Sequence, residues 1–219
     1  MAERNSITLQ PWNYGFKVFF VVGLLCQSLF TQNETIRTFD AKAINRVIVQ
    51  GDQIFEIEIY AEKRQTIELR SLLDGEYEND FQISALGRDN SLNIKLIESN
   101  FSNIPDNKRN AHKVVAATLR LVIPEDLYIE VISDVGFLVA EGQFKSLMAN
   151  LRSGFFKFSG CATVLQVRTA RGNIYVSTKN TSIEATSVKG KVTGLTKVNG
   201  TNRAILKSIN GDIVIRTLE

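Results

Sequence analysis

The side chains best equipped for chemistry in this 219-residue chain are few: one histidine, His112, and two cysteines, Cys26 and Cys161. A Ser-His-Asp site would need His112 as its base, yet that residue lies in the polar stretch SNFSNIPDNKRNAHK (99–113), a poor rigid mount for catalysis. Cys161 follows Gly160 and reads as a small packed residue rather than a nucleophile. With Cys26 in a segment expected to be removed, a lone cysteine makes neither an internal disulfide nor a cysteine-based metal site. Glu130, Asp134, Glu141, Glu184 and Asp212 are spread over several columns of the repeat described below, with only Glu130 and Glu184 sharing one three blocks apart, so they form no single acidic ladder. No glycine-rich loop follows a strand and opens a helix to hold a phosphate, and neither HExxH nor the aspartate-rich nonapeptide of calcium-binding solenoids occurs. The sequence therefore predicts no catalytic residue, no cofactor and no metal ligand. A polysaccharide-cleaving β-helix using scattered Lys and Arg as bases is the enzyme alternative, with no residue assigned to it.

Charge narrows the partners. The 26 Lys and Arg against 23 Asp and Glu leave a net charge of +3, and the two signs are interspersed. A nucleic-acid binder would show a basic stripe, so nucleic acid is not an expected partner. The densest basic run, NKRNAHK (107–113), reads as a solvated loop. At the N-terminus, Arg4 and Lys17 precede the apolar run VFFVVGLLCQSLF (18–30), and TQNET follows. That run is short of the roughly 20 residues a membrane-crossing helix needs. A positive flank, a short apolar core and a polar exit are the layout of a signal peptide, here residues 1–31, with cleavage after Ser28 or Thr31. Acylation at Cys26 is the alternative, weakened by Leu24 and Leu25 where small residues are wanted. Either way the expectation is export, to the periplasm, the outer membrane or the medium, with membrane attachment only through that segment.

The elements that would position any site follow from periodicity. From Arg46 onward apolar residues alternate: VIVQGDQIFEIEIYA (47–61), TIELRSL (66–72), FQISAL (81–86), SLNIKLI (91–97), VVAATLRLVI (114–123) and LYIEVI (127–132). Turn signals bound each, among them Gly51-Asp52, Asp74-Gly75 and Pro124-Glu125-Asp126. A period of two with Gly, Asp and Asn punctuation predicts an all-β fold of strands and tight turns. No Pro- or Ser-rich linker marks a domain boundary.

From Ile129 the alternation acquires a longer period. Blocks of eighteen starting at Ile129, Leu147, Leu165 and Ile183 each place a glycine eighth: Gly136, Gly154, Gly172 and Gly190. Positions one, three, ten and twelve are apolar or small in every block. A fifth block, displaced by three residues around NGTNRA, repeats the motif as SINGDIVI with Gly211, Ile213 and Ile215. This pattern predicts a single-stranded β-solenoid, or β-helix, of about 18 residues per coil over 129–219, with a strand-rich capping part over 32–128. The glycine would mark one corner per coil, where the backbone turns tightly. One coil cannot bury its own apolar face, so at least about three must stack. Ser133, Thr169, Ser187 and Ser208 recur three residues before a glycine and are expected to satisfy the turn backbone.

If positions ten and twelve point inward, nine and eleven face out: Phe137 and Val139, Phe155 and Lys157, Asn173 and Tyr175, Lys191 and Thr193. Two explanations of the aromatic members stand open. The strands of 46–123 cover them, or Phe137, Phe155 and Tyr175 form an exposed ladder that contacts a sugar or another chain. The final segment GDIVIRTLE carries no polar cap, which points to self-association through the last coil.

The alternating strands from about Phe39, the passage LRLVIPEDLYIEVISDVG (119–136) and the recurring SGFFKFSG, ARGNIYV and SINGDIVI resemble the bacterial putative-adhesin β-solenoid family, including its head GIN domain branch. The resemblance covers most of the chain after the signal segment. It implies an exported or envelope-attached, non-catalytic binding module whose partner is an envelope protein or a glycan, or a structural or regulatory component docking another protein. It implies no catalytic residues. Val135-Gly136 and Lys189-Gly190 depart from the Ser-Gly or Asn-Gly usual in that family.

Overall fold

A segment with apolar side chains at every second position has one face to bury and one to leave in water, which a sheet covered on one side satisfies. The computed structural model describes residues 33–75, 80–99, 116–194 and 200–218; among them lie fifteen strands and no α-helix. The all-β class expected from the alternation is found. The signal segment with Cys26, and His112, lie outside the described residues.

The strands are β1 (Asn33–Asp40), β2 (Arg46–Gln50), β3 (Ile54–Glu62), β4 (Thr66–Asp74), β5 (Phe81–Arg88), β6 (Ser91–Glu98), β7 (Ala116–Pro124) and β8 (Tyr128–Ser133). They continue as β9 (Phe137–Ser153), β10 (Phe155–Arg171), β11 (Ile174–Thr178), β12 (Thr181–Ser187), β13 (Val192–Thr193), β14 (Asn202–Asn210) and β15 (Ile213–Thr217). All belong to one mixed sheet with two rows. One row runs β1-β4-β7-β3-β9-β10-β11-β15-β13, and the other β5-β6-β2-β8-β9-β10-β14-β12. The long strands β9 and β10 belong to both rows. Alternate side chains of the two rows share one core: Val131, Leu147, Val167 and Leu206 from one, Ile59, Leu138, Phe156 and Ile213 from the other.

Within 128–178 the parallel register has the period seen in the sequence. Ile129 pairs with Leu147, Leu147 with Leu165, Phe137 with Phe155 and Phe156 with Ile174, each pair eighteen residues apart. Beyond Thr178 the order in space departs from the order in the chain. β14 lies between β10 and β12, and β15 between β11 and β13. Leu165 therefore meets Ala204, and Ile183 meets Ala204 from the other side. Composition accounts for the exchange. The last block offers Ala204, Leu206, Ile213 and Ile215, all buried, whereas the preceding block offers Ile183 and Ala185 and then an exposed Val192 and Thr193. The more apolar block takes the position covered on both sides, where burial stabilises most. At GDIVIRTLE, β15 has β11 along one side and the two-residue β13 along the start of the other, and at this end of the described residues β12 and β13 are the strands with one neighbour.

The N-terminal end has the same exchange. β2 lies in parallel register between β6 and β8, and β3 between β7 and β9. Residues 46–62 are therefore a layer of the stack rather than a cover over it. Only β1, β4 and β5 join antiparallel, and they close that end.

The corner glycines stack backbone on backbone. At Gly136 and Gly154 φ is +121° and +124°, a region that L side chains rarely adopt, and a Cβ on Gly154 would overlap the Gly136 carbonyl. At Gly190 and Gly211 φ is ordinary, so there the requirement is space: a Cβ on Gly190 would overlap the Gly211 carbonyl, and one on Gly211 the Gly172 carbonyl. The hydroxyl column satisfies corner carbonyls as expected. Ser133 Oγ lies 2.9 Å from Gly51 O, Thr169 Oγ1 2.9 Å from Gly172 O, and Ser187 Oγ 2.7 Å from Gly211 O.

Gly154→Ala is expected to destabilise the protein by about 3 kcal/mol or more, read as a lowered urea midpoint, because strain and overlap coincide. Gly87→Ala is the control, since no atom lies within 4 Å of its added Cβ; equal midpoints for the two variants would refute the stacked corner. Truncation after Gly200 tests the exchanged layers. It should abolish slow amide exchange at Thr181–Ser187, which loses its neighbour β14, whereas layers stacked in chain order would keep that protection.

Candidate functional site

The first outward position after each corner glycine carries Phe137 and Phe155, which sit opposite each other in the β9–β10 register. Rings on adjacent strands are close enough to pair, and these stack with centroids 4.5 Å apart and planes at 23°. Tyr175 continues the line edge-on to Phe155 at 6.4 Å, and Phe55 extends it on the other side, edge-on to Phe137 at 4.8 Å. The three residues picked out from the sequence are therefore brought together, with Phe55 as a fourth. The strands of 46–123 lie beside them in the row rather than over them. Phe137 and Phe155 are half-buried, while Phe55 is 50% and Tyr175 40% exposed. The stacked pair turns its faces inward on itself and its edges outward. The two end rings keep the freer surface.

Phe55 escapes a period-two reading for a definite reason. Ile57 and Ile59 point inward, so strict alternation would send Phe55 inward as well. The β3–β7 register shifts between Ile54 and Glu56, Ile54 takes the buried place, and Phe55 emerges on the outer face. The available signal is the start of IFEIEIY, where two residues, Phe55 and Glu56, separate Ile54 from Ile57 and strict alternation allows only one.

Past Phe155 the column changes to Asn173, Asp212 and Lys191. Asn173 Oδ1 accepts from the Asp212 amide at 2.8 Å, and Asp212 Oδ1 accepts from the Lys191 amide at 2.8 Å. Each polar side chain thus caps the next layer. Asn173 Nδ2 also donates to Tyr175 Oη at 3.0 Å and steadies that ring. The parallel outward column reads Glu58, Val139, Lys157 and Tyr175. Glu58 faces Arg120 at 3.7 Å, and the Arg120 guanidinium lies 4.5 Å from the Tyr60 ring centre. Burial, with the Glu58 charge adding, raises the Tyr60 phenol above its usual range against the opposing pull of Arg120.

The other residues considered for chemistry are scattered. Glu130 pairs with Arg46 at 2.8 Å, Asp134 accepts from the Gln53 amide at 3.2 Å, and Glu184 meets Arg203 at 3.9 Å. Glu141 lies in register with Tyr60 and Ser159. Cys161 is half-buried, with Sγ 3.9 Å from the Lys179 carbonyl. Among the described residues no three His, Cys, Asp or Glu side chains are grouped to hold a metal ion.

No protein-family model matches this chain, and no curated protein matches it. Its fold is found among solved structures. The chain is similar to a putative cell adhesion protein from Clostridium sporogenes at 11% identity, over 86% of this chain and 100% of that one, with a TM-score of 0.55. A putative adhesin from Bacteroides fragilis aligns over 86% of this chain and 98% of its own at 12% identity, with a TM-score of 0.32. At such identities the first likeness shows a shared all-β fold.

The ring geometry separates packing from exposure. Phe155→Ala removes two ring contacts and is expected to cost about 1–3 kcal/mol in denaturant unfolding. Tyr175→Ala should stay within about 0.5 kcal/mol of wild type. Equal losses would mean that Tyr175 is packed as tightly as Phe155.

Proposed function

We propose that this chain is a non-catalytic, adhesin-like binding module exported to the bacterial cell envelope, and that it engages an envelope protein or a glycan through the ridge Phe55–Phe137–Phe155–Tyr175. The observation that carries this reading is the ridge itself: four aromatic rings in successive contact across two neighbouring outward columns, with the end rings 50% and 40% exposed. Large rings held rigidly at a surface supply contact area at low entropic cost. The fold shared with a putative cell adhesion protein supports the same class. In this reading the stack is a β-solenoid with exchanged end layers, and the chain belongs with the head GIN-like branch of the putative-adhesin family. Residues 1–31 direct it to the periplasm, outer membrane or medium, with cleavage near Gln32 or acylation at Cys26.

One observation favours a protein over a sugar as partner. The faces of Phe137 and Phe155 are turned to each other, so a sugar would have only Phe55 and Tyr175 to stack on, whereas a row of ring edges packs well against an apolar protein surface. A structural or regulatory role, docking a neighbour in the envelope, uses the same ridge.

The double variant Phe55→Ala/Tyr175→Ala should lose binding on a glycan array, or lose crosslinking to its envelope partner, while its melting temperature stays that of wild type. Binding that survives in the double variant would remove the ridge from the site. Export is checked by the intact mass of the protein from envelope and medium fractions of its host. A chain starting near Gln32, or a lipid-modified one starting at Cys26, is expected. An unmodified full-length chain confined to the cytoplasm would overturn export.

A further inference from the structure

On the other side of the glycine corner, an open groove of about 610 Å³ crosses β8, β9, β10, β14 and β12. Four strand spacings of about 4.8 Å give it a length of about 19 Å. Three of its apolar members are exposed: Val188 is 70% and Ile209 55% exposed, and Ile132, at the opposite end, 45%. Three cations line it, Arg152, Arg168 and Lys207, with no carboxylate among the lining residues. Arg168 and Lys207 are direct neighbours in the β10–β14 register. Among the described residues no ion pair involves any of the three. Elsewhere on the outer surface Arg46, Arg70, Arg120 and Arg203 each have a carboxylate within 4 Å.

We propose that this groove binds a single-chain amphiphile with an anionic head group, the head held by Arg152, Arg168 and Lys207 and the alkyl chain laid along the groove over Ile209 and Val188. Both parts of the ligand are needed to match the site. An unbranched chain covers exposed apolar surface at about 25 cal/mol per Å² and suits a groove that follows the stacking axis. The aliphatic stems of the two arginines lengthen the apolar lining while their guanidinium groups stay free for an anion. A polyanion would satisfy the cations and leave the apolar lining bare, and a neutral chain would leave three unpaired cations beside it. The groove is separate from the aromatic ridge, so the two sites stand or fall independently.

The test is calorimetric titration of the full-length protein with myristate below its micelle concentration. Butyrate serves as the head without the chain, and tetradecyltrimethylammonium as the same chain with the opposite charge. Saturable binding of one myristate per chain is expected, without detectable binding of either control. Arg168→Gln/Lys207→Gln should weaken myristate by about tenfold or more, equivalent to ~1.4 kcal/mol. Val188→Ser, at a largely exposed position, should weaken it as well while the melting temperature is unchanged. The proposal is overturned by no myristate binding, by binding of the cationic amphiphile as tight as that of myristate, or by affinity unchanged in both variants. Sedimentation showing a dimer that Val188→Ser dissolves, with no myristate bound, would instead make the groove a contact between copies and overturn it equally.

Discussion

Leu138, Phe156 and Ile174 are inaccessible to solvent only because another layer lies about 4.8 Å away. No layer of this protein can bury its own apolar face, so everything depends on how closely neighbouring backbones approach at the bends. There the contact is carbonyl against glycine Cα, and a single methyl group has no room between Gly136 and Gly154. The register follows from that contact. Once the corners nest, Phe137 meets Phe155 and Leu147 meets Leu165 without further specification. The hydroxyls of Ser133, Thr169 and Ser187 and the amide or carboxylate of Asn173 and Asp212 then satisfy the polar groups that tight nesting leaves at each bend.

A stack has two ends, and both present the same difficulty: an end layer exposes one row of unpaired backbone groups. This chain handles its ends by reordering. At the C-terminal end the more apolar of the last two blocks, around Leu206 and Ile213, is inserted inward, and the polar block with Glu184, Thr186 and Thr193 is left outermost. A short β13 of two residues follows, which limits the open edge. At the N-terminal end β2 and β3 are inserted in the same way, and the antiparallel strands β1, β4 and β5 finish the rows.

This reordering marks the limit of what the sequence discloses. Column identity tells which residues are equivalent, and it correctly aligned Gly136, Gly154 and Gly172 and the apolar residues beside them. Equivalence does not say which equivalent residues touch. Gly172 meets Gly211 rather than Gly190, because neighbour choice is settled by relative burial of whole blocks, a quantity no single column carries. The second bend was also hidden. Gly160 nests on the Gly142 carbonyl much as Gly154 does on Gly136, but Thr178 takes the next place in that series, so no unbroken glycine column announces it. Phe55 was hidden by a bulge, a one-residue event that reverses a face without changing composition.

The outer surface is where this architecture leaves freedom. Inward columns must be apolar and corner positions must be glycine or a small hydroxyl residue, but outward columns need only suit their lateral neighbours. Charge pairing is made over part of that surface: Arg46 with Glu130 and Arg120 with Glu58 across strands, and Arg70 with Glu68 along its own strand at 2.6 Å. Among the described residues, two places differ in another way. In one, aromatic rings occupy successive layers where charged pairs would have kept the surface soluble. In the other, Arg168 and Lys207 are adjacent across a parallel pair, an arrangement of like charges that costs free energy unless an anion lies against it. Both departures flank the same glycine corner, where the backbone is most tightly held and a side chain's position is therefore best defined. Rigid placement of unpaired groups lowers the ordering cost of recognition, and this is where the stacked fold is best able to bind.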